Sequence, residues 1–299
     1  MASVTLSELT RFGIGGVAQQ FIETDDECVL MTTLQAENGP WTLIGGGTNI
    51  IASDDGFSGL VLRYSGSRIE HTGTLVSAQA GAVLQDLVDY SVAHGLRGLQ
   101  TMTGIPGSVG GAIYGNAGAY GHSSMEFVTR VRFFDGQKIE ELNNTECEFR
   151  YRESIFKRHK DWIILSIDLA LGKGDPAELT AIAADIRKIR DEKYPPSMKC
   201  AGSIFKNLML AELPCSVQGI VPEKVVREGK VPSAWFLEQV GAKGVKIGGI
   251  HVADYHANLI YNAGGGTARE LRSLIANLKE RVQTKFAFAL EEEVQYIGF

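Results

Sequence analysis

The sequence predicts an α+β fold. Strand-like and helix-like segments follow one another without the strict alternation of a doubly wound sheet, and an Asp-Gly hairpin joins two β-patterned runs. Four amphipathic helices carry start or stop signals. In chain order, Thr24 with Glu27 three residues on predicts a capping box, followed by a short helix with Leu30, Met31 and Leu34 inward, ending by Gly39. TLIGGGTNIIAS reads as strand, glycine turn and strand, and GLVLRY continues in the same vein. Gln79 to His94 carries Val83, Leu84, Leu87, Val88 and Val92 at helical spacing, with Gly95 as the stop. VRFFDGQKIEEL turns at Asp135-Gly136 and leads to a strand at Trp162 to Leu171. Asp175 caps a helix that opens on Pro176, presents Leu179, Ile182, Ala183 and Ile186, and stops at Tyr194-Pro195-Pro196. The composition shift at GKGDP sets a domain boundary near Lys173. A strand at Asn258 to Tyr261 precedes a helix capped by Thr267 and Glu270, with Leu271, Leu274, Ile275, Leu278 and Val282 inward, and LEEEVQYIGF closes as a strand.

The chain has 299 residues, enough for about two domains. Its 29 basic and 35 acidic residues give a net charge of −6, with 44% apolar and 21% charged residues. No basic run with interleaved aromatics offsets that excess, so nucleic acid is not an expected partner. No stretch reaches the ~20 apolar residues of a membrane helix, and MASVTLSELT lacks the basic and apolar regions of a signal peptide, so a cytoplasmic location is expected. Cys28, Cys147, Cys200 and Cys215 are far apart and expected as reduced thiols. The histidines show no ligand spacing, and His251 and His256, five apart, would fall on opposite faces of one strand. No metal site is expected.

Glycine is in excess: 35 of 299 residues, about 12% against a usual ~7%. Gly13, Gly15 and Ala18 satisfy G-x-G-x-x-A, but no convincing strand precedes them and FIETDD does not open a helix, so a Rossmann reading is rejected. Gly45-Gly46-Gly47-Thr48-Asn49 offers backbone N–H groups, a hydroxyl and an amide to an anion such as pyrophosphate; the same residues would serve a plain strand-turn-strand. Gly104-Ile105-Pro106-Gly107-Ser108-Val109-Gly110-Gly111 runs on to Gly115-Asn116-Ala117-Gly118-Ala119-Tyr120-Gly121. Flexible linkers do not carry Ile, Val and Tyr between glycines, so a backbone wrapped around a large planar ligand explains the segment better, with Tyr120 placed to stack or donate.

These two stretches, with Tyr151-Arg152-Glu153-Ser154, AGSIFKN at 201–207 and the closing LEEEVQYIG, resemble the UDP-N-acetylenolpyruvoylglucosamine reductase (MurB) family. Five separated motifs in order span nearly the whole chain. The resemblance implies an FAD-binding fold of the vanillyl-alcohol-oxidase (PCMH) type. Residues 1–66 and 67–173 would be its two subdomains and 174–299 an α+β substrate domain whose last strand returns toward the active site. It implies FAD and NADPH as cofactors, and UDP-N-acetylglucosamine enolpyruvate as substrate, reduced to UDP-N-acetylmuramate in peptidoglycan synthesis. The cofactor contacts it implies are Gly45, Gly46, Gly47, Thr48, Asn49, Gly104, Ile105, Pro106, Gly107, Ser108, Gly110, Gly111, Gly115, Gly118, Ala119 and Tyr120. A monomer is expected.

Hydride arriving at C3 of the enolpyruvyl group pushes charge through C2 into the carboxylate, so the site needs a cation for that charge and a proton for C2. Arg152 matches the family's catalytic arginine; without the motif it is one arginine among Arg150, Arg152 and Arg158. Ser203 matches the proton donor, a weak acid that a neighbouring charge such as Lys206 would have to assist. Glu293 matches the C-terminal glutamate. Strand alternation alone puts Glu291 and Glu293 on one face and Glu292 on the other, and does not choose among them. Lys206 and Asn207 are expected to bind substrate, and His256-Ala257-Asn258 serves structure or function. Thr48 stands where serine is commoner and Leu208 where proline often follows. The short span between Leu169 and Ser203 leaves no room for the tyrosine-bearing lid of longer members. The alternatives are another FAD-linked oxidase of this fold and an inactive nucleotide-sugar binder.

Overall fold

A computed structural model describes residues 2–299. The chain folds into two compact units, each assembled from separate stretches. Gln19–Gly47 and Ser58–Pro196, with a short amino-terminal stretch ending at Ser3, form the first; Val4–Ala18, Thr48–Phe57 and Ser197–Phe299 form the second.

In the first unit a five-stranded antiparallel sheet has the order Ile139–Asn143, Val128–Phe134, Ile163–Ala170, Leu75–Gln79, Ile69–Thr72. The first two strands are the hairpin read from the sequence, with Asp135 Oδ1 accepting from the N–H groups of Gln137 and Lys138 at 2.8 and 2.7 Å. A parallel pair, Trp41–Leu43 with Phe57–Tyr64, frames the first glycine turn. One apolar core runs through the unit, from Leu30 through Leu60, Leu87 and Phe133 to Leu179. Glu27 and Arg132, 105 residues apart, form a bidentate pair at 2.8 and 2.7 Å, and the Tyr64 hydroxyl also reaches Glu27.

The second unit holds a four-stranded antiparallel sheet ordered Lys199–Ser203, His256–Asn262, Ile250–Ala253, Lys246–Ile247. The helix Ala268–Phe286 packs on it through Leu271, Leu274, Ile275, Leu278 and Val282, the stripe its periodicity marks. Thr267 and Glu270 form the expected reciprocal cap, and Asp54 adds a second, accepting from Ala268 and Arg269 N–H at 2.8 and 3.0 Å. The parallel pair Gln295–Ile297 with Ile50–Ala52 ties the chain's last residues to its first glycine turn's exit.

Local sequence signals were displaced where a stronger partner existed. The first helix spans Glu27–Ala36, not from Thr24: Asp26 is the cap, accepting from Cys28 and Val29 N–H, while Thr24 ends a strand. The second spans Leu84–Ala93, because Leu75–Gln79 is claimed by sheet pairing with Ile163–Ala170; Val83, expected inward, is exposed. Of LEEEVQYIGF only Gln295–Ile297 is a strand, preceded by an isolated bridge at Glu292. His251 and His256 occupy two neighbouring strands rather than one. Gly13 and Gly15 lie between a one-turn helix, Leu6–Leu9, and the strand Val17–Thr24, and no helix follows them. Among the described residues no helix is long and apolar enough to cross a membrane.

All four cysteines are free, Cys28 and Cys215 exposed, Cys147 and Cys200 buried. Burial, then the nearby Glu146 carboxylate, pushes the Cys147 thiol up to about 12; burial, then Glu27, pushes the Tyr64 hydroxyl up to about 12. Both groups keep their protons longer in the folded chain than in the unfolded one. Folding stability should therefore fall as pH rises from the ordinary thiol and phenol range toward about 12. Urea unfolding at a series of pH values should show this decline, and Cys147→Ala should flatten its lower part. A midpoint constant across that range would contradict the burial assigned to both groups.

Candidate functional site: a glycine cradle and a carboxylate strand

In the first unit, Ile44 N–H extends the parallel ladder by donating to Leu62 O at 2.8 Å, and the chain then leaves the sheet as three glycines. A Cβ on Gly45 would stand 2.5 Å from Ser108 Oγ, and one on Gly46 would stand 3.0 Å from Gly107 Cα. Gly46 therefore lies against the Gly107 backbone and Gly45 against the Ser108 hydroxyl, so closely that an added Cβ at either would force its neighbour to move. No acceptor among the described residues takes the N–H groups of Gly45, Gly46 or Gly47. Successive unclaimed backbone donors in a cradle closed to side chains fit an anionic group such as a dinucleotide pyrophosphate.

The long glycine segment is seated rather than free. Gly104 N–H donates to Gln85 Oε1 at 2.7 Å, Gly107 O accepts from Leu84 N–H at 2.9 Å, and Val109 and Gly110 donate to Ala82 and Ala80, each at 2.8 Å. Ile105 donates to Met102 O, and exposed Pro106 precedes Gly107, whose φ of +123° only glycine adopts readily. Ser108 caps the short helix Val109–Tyr114, accepting from Gly111 N–H at 3.2 Å. Gly111 and Gly115 lie on its open side, with no atom nearer than 3.3 and 3.6 Å to an added Cβ. Gly118–Ala119 pairs with His122–Ser123 in a small hairpin whose tip carries the exposed Tyr120.

Arg152 sits at the tip of a tight turn. Arg150 and Glu153 exchange two backbone bonds at 3.0 and 3.1 Å, and Arg152 takes a left-handed φ of +57°. Other side chains hold this conformation: Lys157 Nζ donates to Arg152 O at 2.6 Å, and Asn116 Nδ2 donates to Arg150 O at 2.8 Å. Ser154 Oγ donates to Tyr114 O, and Arg152 Nη2 reaches Gly118 O at 3.1 Å, so the turn is fastened to the glycine segment. Arg158, by contrast, pairs with Glu148 in solvent. The geometry thus separates arginines that composition left equivalent. Sequence reasoning passed over Asn116 and Lys157; asparagine's tolerance of positive φ, +42° at Asn116, was the available signal.

In the second unit Ser203 ends the strand Lys199–Ser203, beyond a register shift after Cys200. The next residues pair with the carboxylate run. Phe205 bridges Glu292, Glu293 N–H donates to Ile204 O at 2.8 Å, and Lys206 N–H donates to Glu291 O at 2.9 Å. Asn258 fills the opposite side: its Oδ1 accepts from Phe205 N–H at 2.9 Å and its Nδ2 donates to Phe205 O at 2.8 Å. Of the His256-Ala257-Asn258 trio, this buried amide has a structural task. Lys206, almost fully buried, pairs with Glu291 at 2.5 Å, while Glu292 is held by Lys279 at 2.7 Å and by the Tyr296 hydroxyl. Glu291 thus belongs to the Lys206 side and Glu292 to the helix side. Asn207 Oδ1 accepts from Ser233 N–H at 3.3 Å, and Ser233 Oγ donates to Lys206 O. Thr48 and Asn49 belong to this unit, and Asn49 Nδ2 donates to Glu293 O at 3.0 Å.

The chain matches two family models: an FAD binding domain over residues 22–138, and the C-terminal domain of UDP-N-acetylenolpyruvoylglucosamine reductase over residues 194–297. The UDP-N-acetylenolpyruvoylglucosamine reductase of Solibacter usitatus is 60% identical over 300 residues, spanning 99% of this chain and 96% of the relative. That of Carboxydothermus hydrogenoformans is 35% identical over 299 residues, spanning 98% and 92%. The crystal structure of MurB from Thermus caldophilus superposes with a TM-score of 0.77 at 27% identity, spanning 99% of this chain and 98% of that one. Both glycine motifs lie within the FAD-domain match, and the Ser203 and Glu293 segments both lie within the C-terminal match. The chain belongs to the UDP-N-acetylenolpyruvoylglucosamine reductase family and is an FAD-dependent oxidoreductase with the α+β fold of that family.

Proposed function

We propose that the protein reduces UDP-N-acetylglucosamine enolpyruvate to UDP-N-acetylmuramate with NADPH as the electron source. The observation that carries this reading is the bridge between Ile204–Lys206 and Glu291–Glu293, which holds a hydroxyl-bearing strand end beside a run of carboxylates in a separate part of the chain. FAD, once held by the glycine segments, would supply hydride chemistry toward C3 of the enolpyruvyl group, with NADPH as the reductant. The chain's own residues handle charge and proton. The Arg152 guanidinium offers a planar fork to a carboxylate gaining charge. Ser203 Oγ–H gives the proton to C2, a transfer for which a hydroxyl needs nearby electrostatic help. Lys206, three residues on, supplies positive charge, tempered by its pair with the exposed Glu291 carboxylate. Glu293 assists proton supply or stabilises the developing charge, and Asn207 joins Lys206 in binding substrate. The cradle of Gly45–Thr48 and the 104–120 segment hold the dinucleotide through backbone donors.

Ser203→Ala should leave reduction of the flavin by NADPH nearly unchanged while slowing its reoxidation by the enolpyruvyl substrate by ~10²- to 10⁴-fold. Stopped-flow absorbance at the flavin band reads both half-reactions; equal losses in the two would remove the proton-donor role. Gly45→Ala should weaken FAD binding by the apoprotein about tenfold or more, because its methyl group must displace Ser108 Oγ from 2.5 Å. Gly219→Ala, where the nearest atom is 4.0 Å away, should bind FAD as the parent does. Titration of apoprotein with FAD, followed by fluorescence quenching, separates the two, and equal affinities would rule out the cradle as the dinucleotide site.

A further inference from the structure

Three consecutive glutamates, Glu291, Glu292 and Glu293, make register the property that decides which carboxyl is presented. A slip by one residue sends every side chain of a strand to the other face, and a slip by two exchanges one glutamate for another on the same face. On one side the run is paired with Ile204–Lys206. On the other the regular ladder starts only after the glutamates, where Gln295, Tyr296 and Ile297 pair with Ile50, Ile51 and Ala52.

We propose that Asn49 extends that second ladder to Glu293 itself, and that it is a positioning residue for Glu293. Asn49 Nδ2 donates to Glu293 O at 3.0 Å, and Asn49 O accepts from Gln295 N–H at 2.9 Å. The side-chain amide acts as one more rung of the parallel ladder, placed where the backbone N–H of a strand would otherwise stand. Glu293 is then held on both sides of its α-carbon, its N–H by Ile204 O at 2.8 Å and its C=O by Asn49. With both peptide groups fixed, φ, ψ and the direction of the Cα–Cβ bond are fixed as well. Glu292 is kept to the other face by Lys279 and Tyr296, and Glu291 is taken by Lys206. The inference rests on the reading of Glu293 as the working acid, and it gives Asn49 a task different from the cofactor contact its place after the glycines suggests.

Asn49→Asp keeps the size of the side chain and loses the amide donor, and Asn49→Ala removes the group. In both, FAD affinity of the apoprotein should stay within about threefold, whereas amide hydrogen exchange over 293–297 should quicken at least about tenfold. Flavin reduction by NADPH should be unchanged, and reoxidation by the enolpyruvyl substrate should slow about 10- to 100-fold. In a Glu293→Gln background the Asn49 substitutions should add no further loss, because the two residues act through one group. Weakened FAD binding with an unaltered substrate half-reaction would overturn the proposal, and so would additive losses in the double variant. Glu293→Gln reoxidised at the parental rate would instead overturn the reading of Glu293 itself. A large loss in Glu293→Gln beside none in either Asn49 variant would overturn the role of Asn49 alone.

Discussion

The hydrogen bonds exchanged between Ile204–Lys206 and Glu291–Glu293 are the contact on which the second unit depends. Without them the carboxylate run would lose the pairing that precedes its three-residue ladder, and Ile204–Lys206, beyond the strand that ends at Ser203, would lose their partner on that side. The bridge is possible because Asn258 supplies the missing half of the pairing. Two residues beyond the end of the strand Lys199–Ser203, the amide of Asn258 meets the N–H and C=O of Phe205 on the side away from the glutamates. An unsatisfied buried backbone group costs about 1–3 kcal/mol, so one side chain offsets two such penalties. Packing then completes the arrangement: Phe205 and Ile204 enter the same core as Phe236, Leu274 and Leu278.

The sequence made legible whatever a local rule controls. The helix Ala268–Phe286 follows from the apolar stripe Leu271, Leu274, Ile275, Leu278 and Val282 and a reciprocal cap, both written within twenty residues. The Asp135-Gly136 hairpin and the Asp175-Pro176 helix start are equally local. The glycine clusters were legible as places where side chains are excluded, since a missing Cβ is a statement about close approach. What they approach was not legible. That Gly45 and Gly46 lie on Gly107 and Ser108 is a relation across about sixty residues that no periodicity encodes. The same limit explains the misplaced helix starts. Gln79 has helical neighbours on paper, but a sheet partner at Ser166 claims it.

The candidate site was legible as motifs and not as a mechanism of support. Alternation could not choose among three glutamates; Lys206 and Lys279, from two different elements, sort Glu291 from Glu292. Composition could not choose among Arg150, Arg152 and Arg158. A left-handed turn pinned by Lys157 and Asn116 marks one, and a solvent ion pair with Glu148 marks another as ordinary surface charge.

A common device runs through both units. Asn116, Asn258 and Asn262 are each buried, and each spends its amide on backbone groups of an irregular segment: Arg150 O and Met125 N–H, both groups of Phe205, and Phe12 O with the N–H groups of Gly264 and Gly266. An asparagine amide carries donor and acceptor together, as a peptide does, so it replaces a strand neighbour where geometry forbids one. The left-handed Arg152, the register break before Ser203 and the glycine turn after Asn262 are all conformations a regular sheet would not tolerate. Each persists because a side chain from elsewhere takes over the peptide bonding. The backbones at Arg152 and Glu293 are thus held by side chains from elsewhere in the chain, Lys157 at the first and Asn49 at the second.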